Sequence, residues 1–146
     1  MYTSILHATD LSENHFDICK QASEIAQKFE AKLYLLHVID PPTSLQLAQS
    51  LGFAELANPV KDDAQTVMSI LGEALNIPLE QQFVEVGPLK IHILEKVKAL
   101  NCGLIILGSH TPSALPAFLG STAYAMLHHA PCDVLTLRTT PPIERV

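Results

Sequence analysis

Five short apolar runs alternate with stretches of helical periodicity along the 146 residues, and this alternation constrains the fold more than any other property of the chain. The runs Ser4 to Thr9, Lys32 to Val38, Gln82 to Val86, Gly103 to Leu107 and Asp133 to Leu137 have strand length and little polar interruption. That is the pattern of strands buried on both faces. Between the first two, Glu13 to Phe29 carries Ile18, Ala22, Ile25 and Phe29 on one helical face, flanked by Cys19 and Ala26. Val60, Ala64, Val67, Leu71 and Leu75 repeat the same period. Gly87-Pro88 opens a helix through Leu100 with proline where a missing N–H costs least, and Ser121 to Ala130 is a short helix stopped by Pro131. Each parallel connection needs a crossover, so the expected fold is α/β, a parallel sheet with helices on both faces. Ligands of such sheets bind beyond the carboxyl ends of the strands, where Asp10, Asp40, Gly87 and Gly108 stand.

Length and composition narrow the function classes. The chain has 48% hydrophobic residues, enough for one core and too short for two ordinary domains. Residues 1–138 are expected to form the domain, and 139–146, opened by Thr139-Thr140-Pro141-Pro142, a tail without core pattern. A net charge of −6, with nine Lys plus Arg and no basic cluster, argues against nucleic acid and anionic membrane as partners. No run approaches the roughly 20 apolar residues that cross a bilayer, and Met1-Tyr2-Thr3 leads straight into a strand, so a cytoplasmic location is expected. Cys19, Cys102 and Cys132 lack CxxC spacing and are expected as reduced, mostly buried thiols. The segment Pro41 to Pro59 contains Leu45, Leu47, Leu51, Phe53 and Leu56, too apolar for a simply solvated loop; a lid over the sheet end and a subunit contact both fit it.

The chemistry concentrates at Leu107-Gly108-Ser109-His110 and at Gly120-Ser121-Thr122. Glycine lets backbone approach a ligand closely, and the free N–H groups of a helix start attract phosphate oxygens. Asp10 suits either a ligand contact or a helix N-cap, and Ser109, Ser121 and Thr122 are equally suited to capping. A phosphoacceptor receiver would pair acids after the first strand and place aspartate after the third; here Leu11 follows Asp10 and Gly87-Pro88 ends the third strand. A DxD phosphatase is excluded by Ser12. Strand histidines His7 and His37 read as hydrogen-bonded core or sheet-end groups, and adjacent His128 and His129 point about 100° apart on a helix, so no metal site is expected. No nucleophile, base and orienting acid form a recognisable set, and no enzymatic activity is expected.

Ala8-Thr9-Asp10-Leu11-Ser12, Leu36-His37-Val38-Ile39-Asp40, Leu107-Gly108-Ser109-His110, and Gly120-Ser121-Thr122 before His128-His129-Ala130-Pro131-Cys132-Asp133-Val134-Leu135 resemble, in that order, the universal stress protein family. The resemblance implies a Rossmann-like, doubly wound five-stranded parallel sheet in the order 3-2-1-4-5. It also implies homodimers and a cytoplasmic role in stress survival without established catalysis in most members. The family divides into members that bind ATP and members that do not. By resemblance, Ala8 and Val38 line an adenine slot and Asp10 contacts ribose or nearby phosphate, with ATP and Mg²⁺ as the implied cofactors. Thr9, Leu107 and His110 complete the expected site. In the family's phosphate loop, Gly-x2-Gly-x9-Gly-Ser/Thr, Gly108 matches the first glycine and Gly120-Ser121 the last pair. Thr111 stands at the middle glycine, eight residues separate it from Gly120, and Pro112 and Pro116 remove two N–H donors. Thr111 brings a hydroxyl in exchange, and the donors around Gly120, Ser121 and Thr122 survive.

Three functions follow from this reading. The leading one is a dimeric stress-response module that binds an adenine nucleotide. A second is a nucleotide-independent dimer acting through phosphorylation or protein partners. The third is a slow ATP hydrolase, for which His110 is the nearby group able to orient water. In the implied order the last strand, Asp133 to Arg138, is an edge, and pairing through it is the expected dimer contact.

Overall fold

The computed structural model describes residues 1–11, 15–39, 47, 50–52, 58–109 and 121–138, with the backbone alone at 58–60, 109, 121 and 122. Five strands, β1 (Ser4–Ala8), β2 (Lys32–Ile39), β3 (Gln82–Val86), β4 (Leu104–Ser109) and β5 (Asp133–Arg138), alternate with four helices. These are α1 (His15–Lys28), α2 (Asn58–Leu75), α3 (Leu89–Leu100) and α4 (Ser121–His129), and a 3₁₀ turn at Leu79–Gln81 precedes β3. All strand pairs are parallel and the sheet order is β3-β2-β1-β4-β5, as the resemblance implied.

The central strands are mostly apolar because both their faces are covered, with His7 of β1 the buried polar exception. Ile5, Leu6, Ile105 and Ile106 are fully enclosed. Successive side chains divide between two cores. On one face Ile5, Leu33, Leu35, Leu104 and Ile106 pack with Cys19 and Ala22 of α1 and with Met68 and Leu71 of α2. On the other, Leu6, Leu36, Val38, Ile105 and Leu107 pack with Ile93 and Val97 of α3 and with Met126 of α4.

The helix faces follow the expected periodicity with two corrections. In α2 the periodicity selected Val67, yet Val67 is 46% exposed and Met68 is buried beside Leu71. Gly72 is the physical reason: a Cβ there would overlap the Gln82 side chain at the start of β3. The bare backbone lets α2 close onto the sheet along Met68, Leu71, Gly72 and Leu75, which rotates Val67 outward. Phe29, expected on the core face of α1, sits at its margin and meets Tyr2 edge to face with centroids 5.0 Å apart.

Three helices end by one device. Glu30, Asn76 and Asn101 adopt left-handed backbone after α1, α2 and α3. The next residue donates its N–H back across the last turn, Ala31 to Ala26, Ile77 to Gly72 and Cys102 to Val97. This is the Schellman arrangement, which satisfies orphan carbonyls and turns the chain toward the next strand. Buried Ile77 and Cys102 anchor two of these turns in the cores.

Candidate functional site

The strand order reverses at β1: β2 and β3 lie on one side, β4 and β5 on the other. The crevice at such a switch point is where open α/β sheets receive ligands. Ala8 ends β1 with Leu36 of β2 and Leu107 of β4 as its neighbours in register, and Gly108 lies one residue further along β4. Val38 is two residues beyond Leu36 and faces the same core as Leu107. Ala8, Val38, Leu107 and Gly108 therefore converge at the carboxyl ends of the three central strands, with Thr9 and Asp10 continuing from β1. Ser121 and Thr122 open α4 on the backbone. His110, Thr111 and Gly120 lie outside the described residues, as do Ser12, Asp40, most of Pro41 to Pro59 and residues 139–146.

The turn after β1 is held from two sides. The Thr9 N–H donates to the Leu36 carbonyl at 2.8 Å, and the Thr9 carbonyl accepts from His37 Nδ1 at 2.8 Å. Its hydroxyl accepts the Leu11 N–H at 3.0 Å. Leu11 is left-handed, φ 57°, a conformation that costs a branched L-residue free energy and clusters at functional turns. His37 thus fulfils the sheet-end role expected of it.

Asp10 and His7 meet through a residue the sequence reading passed over. Asp10 is 43% exposed and its Oδ1 lies 3.0 Å from Nδ1 of buried His15 at the start of α1. The Nε2 of His15 is 3.0 Å from Nε2 of His7, whose Nδ1 is 2.8 Å from the Ile106 carbonyl. The two rings are parallel within 8°. A carbonyl only accepts, so His7 carries its proton on Nδ1. Desolvation, reinforced by neighbouring His15, pushes His7 down to about 3, against the opposing pull of the Ile106 hydrogen bond. His7 is therefore neutral and its Nε2 lone pair points at His15. Cys19 lies one helical turn past His15, buried beside Thr9, and burial pushes its thiol up to about 12. The signal was present in the spacing: His15 and Cys19 are four apart, hence on one helical face. It was obscured because His7 reaches them only through the packing of α1 on β1.

A second polar cluster lies on β3 and α3, at the β2 side of the crevice, where Glu85 is the register partner of Val38. Glu85 accepts from His92 Nδ1 at 2.7 Å and pairs with Lys96, whose ammonium stands 4.2 Å from the Phe83 ring centroid. Burial alone would raise the Glu85 carboxyl; the His92 and Lys96 hydrogen bonds outweigh it and hold the group below its usual range. No described helix is long and apolar enough to cross a membrane.

Comparison with known proteins agrees with this architecture. A protein of Coxiella burnetii, universal stress protein A homolog 2, is 35% identical over 139 residues, 94% of this chain and 95% of its own length. The structure of universal stress protein UspA from Lactobacillus plantarum superposes with a TM-score of 0.66 at 27% identity, covering 94% of this chain and 98% of that one. A universal stress protein solved in complex with cAMP shares the fold, with a TM-score of 0.68 at 17% identity over 95% of this chain and 98% of its own. The profile of the universal stress protein family matches residues 1–138, and the chain belongs to that family.

Proposed function

We propose that this protein is a cytoplasmic, dimeric stress-response module that binds an adenine nucleotide at the carboxyl ends of β1, β2 and β4 and acts without fast turnover. The observation that carries the reading is the convergence of Ala8, Val38, Leu107 and Gly108 at the switch point, with an exposed carboxylate, Asp10, beside them. Adenine lies against Ala8 and Val38, ribose near Asp10, and phosphates reach Gly108 and the backbone donors of Gly120, Ser121 and Thr122. Thr9 shapes the turn, while His110 and Thr111 border the phosphates, whose charge Mg²⁺ neutralises. Occupancy then shifts the population of conformations or partners. Oδ1 of Asp10 is held by His15, and the side chain, 43% exposed, presents its carboxylate toward the place proposed for the sugar hydroxyls. The cAMP complex of a protein with this fold supports the choice of an adenine nucleotide.

The second reading, a dimer that signals without nucleotide, is favoured by one feature: Thr111, Pro112 and Pro116 stand where a wrapped phosphate loop uses glycine and N–H donors. Mass spectrometry of nucleotide released from freshly purified wild type, Asp10→Ala and Gly120→Val separates the two. Nucleotide in the wild type and its loss from both variants supports the module, and its absence from all three supports the second reading. Slow ATP hydrolysis, should it occur, is expected to fall in His110→Ala.

A further inference from the structure

We infer that His7, His15 and Cys19 form a buried site for a thiophilic first-row transition metal, Zn²⁺ in class, between β1 and α1. Their ligand atoms, two imidazole nitrogens and one sulfur, lie within 4.8 Å of one another, and all three residues are buried. The sequence alone suggests no metal because His7 and His37 read as hydrogen-bonded core or sheet-end groups; the fold brings His7 to His15.

Hydrogen-bond accounting points to a cation at this spot. His7 Nδ1 is committed to the Ile106 carbonyl and His15 Nδ1 faces the Asp10 carboxylate, both acceptors. Each ring then holds its proton on Nδ1 and directs Nε2 at the other ring, 3.0 Å away. Two lone pairs at that distance repel unless a positive centre joins them: a proton, making His15 an imidazolium, or a metal. Metal-bound histidines are oriented in this way, with the far nitrogen fixed by a carboxylate or a backbone carbonyl. Cys19 supplies the argument for metal over proton. A buried thiol adds nothing to an N–H···N bond, whereas as thiolate it is a strong ligand for Zn²⁺.

Charge and geometry are compatible with the ion. One Cys19 thiolate and the Asp10 carboxylate together balance a divalent cation. Two nitrogens on a tetrahedral Zn²⁺ at about 2.0–2.1 Å stand about 3.3 Å apart, so the rings separate by only a few tenths of an ångström. Uptake releases two protons to solvent, the one between the rings and the one on Cys19. The site offers three protein ligands, two nitrogens and one sulfur, of the kinds that hold tetrahedral Zn²⁺. It would fasten α1 to β1 directly behind Asp10.

Cobalt titration of chelator-treated protein, without nucleotide, provides the test. Wild type is expected to develop a thiolate-to-cobalt charge-transfer band saturating at one ion per chain, to lose it to added Zn²⁺, and to gain thermal stability with Zn²⁺. Cys19→Ser loses the band, His15→Gln weakens binding at least tenfold, and Cys102→Ser, which alters a buried thiol outside the cluster, keeps it. No saturable band in folded wild type, or an unchanged band in Cys19→Ser, overturns the inference and leaves a proton between the rings. A failed cobalt titration leaves the nucleotide reading untouched, since no nucleotide is present.

Discussion

Thr9 shows how much one side chain contributes at the end of β1. Its hydroxyl accepts the N–H of left-handed Leu11, and its backbone is fixed by Leu36 and His37. The turn that presents Asp10 therefore rests on a residue whose role is positioning. Thr9→Val keeps the shape, removes the acceptor and leaves the partly buried Leu11 N–H unsatisfied, for an expected loss of about 1–3 kcal/mol. Urea unfolding should show it, with Thr9→Ser near wild type. Equal midpoints for wild type and Thr9→Val would contradict the assigned hydrogen bond. At this scale the sequence was partly legible. Ala8, Asp10 and Gly108 could be placed because strand ends and a family motif mark them. His15 could not, because its partners His7 and Asp10 come together only when the chain folds back and α1 seats on the sheet.

The elements were legible where a period or a proline marks them and less so where contact decides. The strand runs fell within two residues of the observed bounds, since burial on both faces leaves a continuous apolar signature. The α2 face was misread by one position because Gly72, a residue without hydropathy signal, sets how that helix lies. The Schellman ends were invisible for a similar reason: Glu30, Asn76 and Asn101 take the left-handed position usually marked by glycine. Between β3 and α3, Glu85 acts as a clasp for His92 and Lys96. Its carboxyl is held below the ordinary value of 4.5, so its contribution to stability is full above that pH and is lost as the pH falls through the lower folded-state value. Acid titration of unfolding should show this loss in wild type and a shallower slope in Glu85→Gln. Identical slopes would remove the clasp. Gly87 belongs to the same unit. Its φ of 152° and the His92 ring next to its α-carbon leave no room for a side chain, and Gly87→Ala should destabilise by about 1–3 kcal/mol in the same unfolding assay.

For the molecule as a whole, the sheet has two edges, and among the described residues β5 pairs only with β4. That edge, with Val134, Leu135 and Leu137 partly covered among the described residues, is suited to pairing with a second copy. The proposed dimer should appear in light scattering at twice the 15.9 kDa chain mass. Hydrogen exchange along Asp133–Arg138 should slow as concentration is raised through the dissociation range. A 15.9 kDa species with concentration-independent exchange at β5 would move the contact elsewhere or remove it.

The central claim is that the switch-point crevice holds an adenine nucleotide, and isothermal titration of ATP with Mg²⁺ into the purified protein tests it most directly. The account predicts saturable heat near one nucleotide per chain in wild type and a large loss of affinity in Asp10→Ala at unchanged fold. No heat in folded wild type, or binding that Asp10→Ala leaves intact, would contradict it.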